Sequence, residues 1–261
     1  MAGQMIPLFQ EGKILTHQML QAISNYAVGF GELAYEGYSE GILRGCALTA
    51  ARDALVVGKG MIRYGGHVYL VEQPMMVSYV PANKWTVLYL VFKEETMTSS
   101  FLYREVELVL SHEISTDRNH MELGRFKLME GARLRLEHQD LKDHNTEFDT
   151  VNYIYSIHSG WERPTISPEI LYDFARENCM FAIRDPWDIS FCQKILADGK
   201  IPQSRDCIIA YVVKRLNLPR ADYSNLELYE GLCEITRSNA ELRWEEPKEE
   251  KRKKRMVMLD Y

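Results

Sequence analysis

Gly65 and Gly66 stand between two short β-forming runs, Met61-Ile62-Arg63-Tyr64 and His67-Val68-Tyr69-Leu70. A two-residue hairpin loop whose central residues both need positive φ accepts glycine without steric cost. The spacing predicts a tight antiparallel hairpin that pairs Tyr64 with His67 and Ile62 with Tyr69 on one face. Met61 with Leu70 and Arg63 with Val68 then occupy the other face.

The surrounding chain extends this pattern. Trp85 to Phe92 is apolar on nearly both faces, which predicts a central strand covered on both sides. Phe101 to Leu110 alternates, with Leu102, Val106, Leu108 and Leu110 on one face and Glu105 and Glu107 on the other, and Glu122 to Met129 reads as a final strand. Residues 41–135 are therefore expected to be an antiparallel β module. Ahead of it, residues 1–40 hold a short segment and a helix. Thr16 is its N-cap, and Met19, Leu20, Ile23, Tyr26, Ala27, Phe30, Leu33 and Ala34 form one apolar face. Gly29 and Gly31 weigh against an unbroken helix.

Beyond the β zone the period becomes helical. Residues 165–240 carry start signals at Ser167-Pro168-Glu169 and Asp185-Pro186, a stop at Gly199, a third start near Pro202 and a fourth near Ser224, which predicts a small bundle. Residues 136–164, rich in His, Asp, Asn and Ser, read as a solvated linker. Residues 241–261 read as a charged tail with an apolar end at Met256, Leu259 and Tyr261. The expected fold class is α+β: an N-terminal helix, a glycine-punctuated antiparallel β sandwich or barrel-like module, and a C-terminal helical bundle with an extended tail.

Motifs for chemistry are sparse. The pairs Gly12-Lys13, Gly58-Lys59 and Gly199-Lys200 are followed by Ile14, Gly60 and Ile201, so none supplies the hydroxyl of a phosphate loop. No GxSxG, HExxH or GxGxxG run occurs. His138 and His144, with Asp140 and Asp143 between them, could hold a divalent ion, but their spacing fits no standard ligand turn and they read as solvated. Cys179 or Cys192 beside a histidine would make a nucleophilic pair; both fall on apolar helix faces, and all five cysteines read as reduced thiols that pack in the core. With a net charge of -6, the chain has no overall attraction to phosphate backbones, and the basic run Lys251 to Arg255 follows acidic residues that offset it. No nucleic-acid contact, cofactor or metal is expected. The first residues lack the pattern of a signal peptide, and no apolar stretch reaches the ~18 residues of a membrane span.

Gly41-Ile42-Leu43-Arg44-Gly45-Cys46-Ala47-Leu48 and Leu55-Val56-Val57-Gly58-Lys59-Gly60-Met61-Ile62-Arg63-Tyr64-Gly65-Gly66-His67-Val68-Tyr69, with the later Glu122-Leu123-Gly124-Arg125-Phe126-Lys127-Leu128, resemble the N-terminal attachment region of phage tail-fibre and baseplate proteins. The likeness spans about residues 36–130. The opening Ile6-Pro7-Leu8-Phe9 and Gly12-Lys13-Ile14-Leu15-Thr16 also resembles a group of prophage-encoded proteins. The resemblance implies a non-enzymatic adaptor in a tail or baseplate. Its partners would be other baseplate subunits and a tail fibre, in several symmetric copies. It would be assembled in the host cytoplasm and then carried in a virion or phage-tail-like particle. Gly45, Gly58, Gly60, Gly65 and Gly66 would punctuate short strands whose edges neighbours could pair with. The alternative is a glycan-binding module in which solvent-facing Tyr64 and Tyr69 line the sugar site.

Overall fold

The computed structural model describes residues 5–51 and 53–242. Met256, Leu259, Tyr261 and the basic run Lys251 to Arg255 lie outside the described residues.

The chain is α+β. Among the described residues, helix α1 (His17–Ala34) is followed by eleven strands: β1 (Gly41–Gly45), β2 (Leu48–Ala51), β3 (Ala54–Val57), β4 (Gly60–Tyr64), β5 (His67–Val71), β6 (Met75–Ser78), β7 (Trp85–Phe92), β8 (Thr96–Met97), β9 (Leu102–Tyr103), β10 (Val106–Ser111) and β11 (His120–Lys127). Four α-helices follow among the described residues: α2 (Pro168–Asn178), α3 (Pro186–Asp198), α4 (Arg205–Leu216) and α5 (Asn225–Ala240). The strands form three three-stranded sheets, ordered β1-β4-β5, β2-β3-β6 and β10-β7-β11, and a β8-β9 ribbon. Among the described residues these small sheets do not close into a barrel, which corrects the barrel-like expectation. A barrel needs one continuous sheet that closes on itself, and here the strands are divided among separate short sheets.

The glycine hairpin has the expected register. Tyr64 pairs with His67, Arg63 with Val68, Ile62 with Tyr69 and Met61 with Leu70, and Gly65 and Gly66 take φ of 57° and 82°. Strand β7 is the centre of its sheet. One face, Leu88, Leu90 and Phe92, enters the main core, and the other, Val87, Tyr89 and Val91, packs on Val109. The helix starts are also as read. Ser167 and Asp185 accept from the backbone N–H of Glu169 and Trp187, Ser224 and Glu227 form a reciprocal capping box, and Gly199 ends α3 at φ 68°. Helix α4 begins at Arg205 after Ser204, three residues beyond Pro202. Gly29 and Gly31 sit inside an unbroken α1.

The largest departure is residues 136–164. They are packed, not solvated. Leu141, His144, Val151, Tyr153 and Ile154 are buried within a cluster or beside it, and that cluster runs from Ile42 in the sheets to Ile235 in α5. Backbone bonds hold the segment to two sheets: Ile42 N–H donates to Ile157 O (3.1 Å) and Ser159 N–H to Ile42 O (3.0 Å). Arg125 and Asn152 exchange bonds of 3.1 and 2.7 Å. The edges of β1 and β11 are thus met by the chain's own return, whereas the sequence reading left such edges for neighbours. The cysteines divide too. Cys46 and Cys192 are buried, but Cys179 and Cys207 are exposed, because Cys179 caps α2 and Cys207 faces outward in the first turn of α4.

Between the helices lies a buried polar network. Asp188 accepts from Tyr211 Oη (2.8 Å), Arg215 Nε (2.5 Å) and Asn239 Nδ2 (3.0 Å), and Asn178 joins Asn239 to Thr236. The network ties α2, α3, α4 and α5 through groups that are costly to leave unpaired.

Two glycines test different physics. Gly60 pairs with Gly45 where β1 crosses β4, and a Cβ there would lie 2.6 Å from Arg44 O and against the Cys46 backbone. Gly65 has open space around it and needs only its positive φ. In urea denaturation Gly60→Ala is expected to cost about 2–3 kcal/mol, because the backbone must move, and Gly65→Ala about 1–2 kcal/mol. The reverse order would contradict the close approach.

Candidate functional site

Two places gather the groups that could act: an apolar helix on the outside and a cavity beside stacked histidines.

Helix α1 forms because Thr16 Oγ1 accepts the Met19 N–H and the interior lacks proline. No residue of α1 is buried. Leu20, Ile23, Phe30 and Leu33 are 51%, 44%, 62% and 72% exposed, and the preceding Ile6, Leu8, Phe9, Ile14 and Leu15 are also exposed. Near its C-terminal end, Glu32 bonds His67 Nδ1 at 2.8 Å and lies 3.8 Å from Arg104. The hydrogen bond from His67 holds the Glu32 carboxyl below its ordinary range. An amphipathic helix normally turns its apolar stripe to a core; this one turns it to solvent.

A cavity of about 860 Å³ opens between β1, β2 and the packed segment, lined in part by Arg44, Cys46, His138, Tyr153, His158 and Glu169. Lys200 also lines it and pairs with Glu169. Burial pushes the Cys46 thiol up to about 11, the opposite of what a nucleophile needs. Cys192, in the helical core, is pushed up to about 12 by the same cause.

Beside the cavity the rings of His138 and His144 stack at 3.6 Å between centroids and 14° between planes, with Tyr153 edge-on to His138 at 5.5 Å. His138 Nε2 meets the Val151 carbonyl (2.9 Å) and His144 Nε2 meets Asp173 Oδ2 (2.9 Å). His144, Asp173 and His138 form the one group of three such residues near enough to share a metal ion among the described residues. The sequence reading grouped the two histidines with Asp140 and Asp143. The structure keeps the histidines and exchanges the acids. Asp140 caps the 3-10 turn Leu141–Asn145, while Asp143 takes a two-pronged bond from Arg135 at 2.9 and 3.0 Å. Asp143 is held down to about 2, burial opposing and the Arg135 bond leading the groups that lower it. Asp173 comes from α2, far along the chain, and no local spacing points to it.

The remaining candidates fall elsewhere. Tyr69 is buried, and Tyr64 stacks on Phe92 at 3.8 Å and 11°. The two tyrosines share the face of buried Ile62, so they pack the core and are not solvent-facing as the glycan reading required. Burial pushes the Tyr69 hydroxyl up. Gly45 and Gly60 meet inside the β1–β4 crossing, Gly58 lies near Ala47, and Gly65 and Gly66 stand at an open turn. Sequence reasoning singled out the apolar face of α1 but not its exposure; nothing in a stripe's spacing says what covers it.

No family model and no curated protein matches this chain. Solved structures similar to it include a chain of the type VI secretion system TssK-TssF-TssG baseplate subcomplex (TM-score 0.41, 9% identity, covering 90% of this chain and 100% of that one). A crystal structure of TssK overlaps at TM-score 0.42 and 10% identity, covering 93% of this chain and 71% of that one. A chain of the baseplate complex from the type VI secretion system gives 0.36 and 10%, covering 90% and 100%. Likeness at this level fixes neither a common fold nor a common role.

Acid should weaken the native state through two histidines. Burial lowers His138 from 6.5 to about 4 and His158 from 6.5 to about 3. Between those values and 6.5 the unfolded chain takes up protons that the folded chain refuses. Stability is therefore full above about pH 6.5 and falls as the pH drops from 6.5 toward 4 and 3. Urea melts across this window should show the fall, and His138→Gln should flatten its upper part. An unchanged slope in the variant would remove His138 from the account.

Proposed function

We propose that this chain is a structural, non-enzymatic component of a phage-type tail or baseplate, assembled in symmetric copies through its N-terminal helix. One observation carries the reading: α1 projects an apolar stripe that its own fold leaves uncovered. The stripe fits a second copy of the same helix. Leu20, Ile23, Ala27, Phe30 and Ala34 alternate steps of three and four residues, the repeat of a coiled-coil seam. Covering each large side chain contributes about 1.5–3 kcal/mol, enough across several copies to order the helix. Identical copies related by rotation bring identical stripes together.

The tail or baseplate setting comes from the sequence resemblance of residues 36–130, whose glycine-punctuated strands include the β1–β4 crossing and the open β4–β5 turn. Host cytoplasm during assembly, and then the particle, is the location this reading carries. The neutral, buried thiols of Cys46 and Cys192 suit packing better than chemistry. Tail fibre and neighbouring baseplate subunits are the further partners.

The test combines two readouts on Ile23→Glu/Phe30→Glu. Since no residue of α1 is buried in the core, the variant should keep the hydrogen-exchange protection of β7 and α2. Wild type should sediment as an oligomer and join tail particles when co-expressed with them, and the variant should sediment as a monomer and stay out. A variant that still oligomerises and enters particles would overturn the assignment of the helix.

A further inference from the structure

The cluster of His138, His144 and Asp173 holds more donor capacity than its hydrogen bonds use. The Val151 carbonyl can only accept, so His138 presents N–H at Nε2 and a bare lone pair at Nδ1. His144 Nε2 lies 2.9 Å from Asp173 Oδ2, close to the separation of two ligand atoms around one ion, so an ion that replaces the shared proton would meet both atoms. His144 is fully buried, and its Nδ1 meets no hydrogen-bond partner. One ligand atom from each of the three side chains lies within 4.8 Å of the others, a span that small movements close to the separation of neighbouring ligands around one ion.

We propose that His138, His144 and Asp173 bind a divalent transition-metal ion of the zinc class. Two imidazoles and one carboxylate are the donor set that borderline ions such as Zn²⁺ and Co²⁺ accept, whereas calcium and magnesium call for oxygen alone. The ion reaches the cluster through the cavity, which His138 lines. Arg176 lies 3.2 Å from the other Asp173 oxygen, and its exposed guanidinium is screened by water. Nearly parallel rings keep their lone pairs in near-parallel planes, so one ring turns about its Cβ–Cγ bond on loading, and the stack ends. Bound metal would clamp the turn at Leu141–Asn145 to α2.

The experiment uses the full chain stripped with chelator, titrated with Zn²⁺ by calorimetry and with Co²⁺ by visible absorption. One ion per chain is expected, with a raised melting temperature and ligand-field bands for cobalt. His144 is buried, so the variants are the less buried His138→Gln and Asp173→Asn. Each should weaken affinity at least ~10-fold while leaving the metal-free melting temperature within a few degrees of wild type. Absence of saturable binding up to about 1 mM zinc overturns the site. So does binding that survives both substitutions, or that disappears when exposed Cys179 and Cys207 become serine, since the ion would then sit on surface thiols.

Discussion

The return segment between β11 and α2 is the constraint on which the rest of the fold depends. Its backbone bonds to β1 through Ile157 and Ser159 and to β11 through Asn152, and Tyr229 of α5 donates to the Leu141 carbonyl at 2.9 Å. A strand edge and a helix are thereby tied to the same stretch of chain. Small sheets that would be marginal alone share a core with four helices. Helix α1, which comes before all of this in the chain, is joined mainly through Glu32 and is left outside.

Local chemistry made several elements readable. The Gly65-Gly66 turn, the central strand Trp85–Phe92 and the caps at Thr16, Ser167, Asp185 and Ser224 each follow from residues within a few positions of one another. The return segment was misread because its polar side chains find distant partners. His144 meets Asp173 and Asn152 bonds the Ile154 N–H, so residues that look solvated can be buried at little cost. The histidine site was half legible for the same reason: two rings are close in sequence, and the third member arrives with α2. Tyr64 and Tyr69 were paired correctly with their neighbours, yet Phe92 arrives from another sheet and turns an apparent platform into core.

The molecule thus separates what it buries from what it offers. Its thiols at Cys46 and Cys192 and its rings at His138 and His158 are kept neutral by burial, while the residues of α1 that would stabilise a core remain in water. Most helical stability in proteins comes from packing an apolar face, and α1 packs none of its residues into the core. On the proposed reading, that packing comes from neighbouring copies of the same helix.

Hydrogen exchange across residues 17–34, followed in the purified chain over a wide concentration range, addresses this most directly. If copies of α1 cover one another, its amides become protected as concentration rises while those of β7 and α2 keep constant protection. Exchange in α1 that stays fast and concentration-independent in a chain that nevertheless self-associates would contradict it.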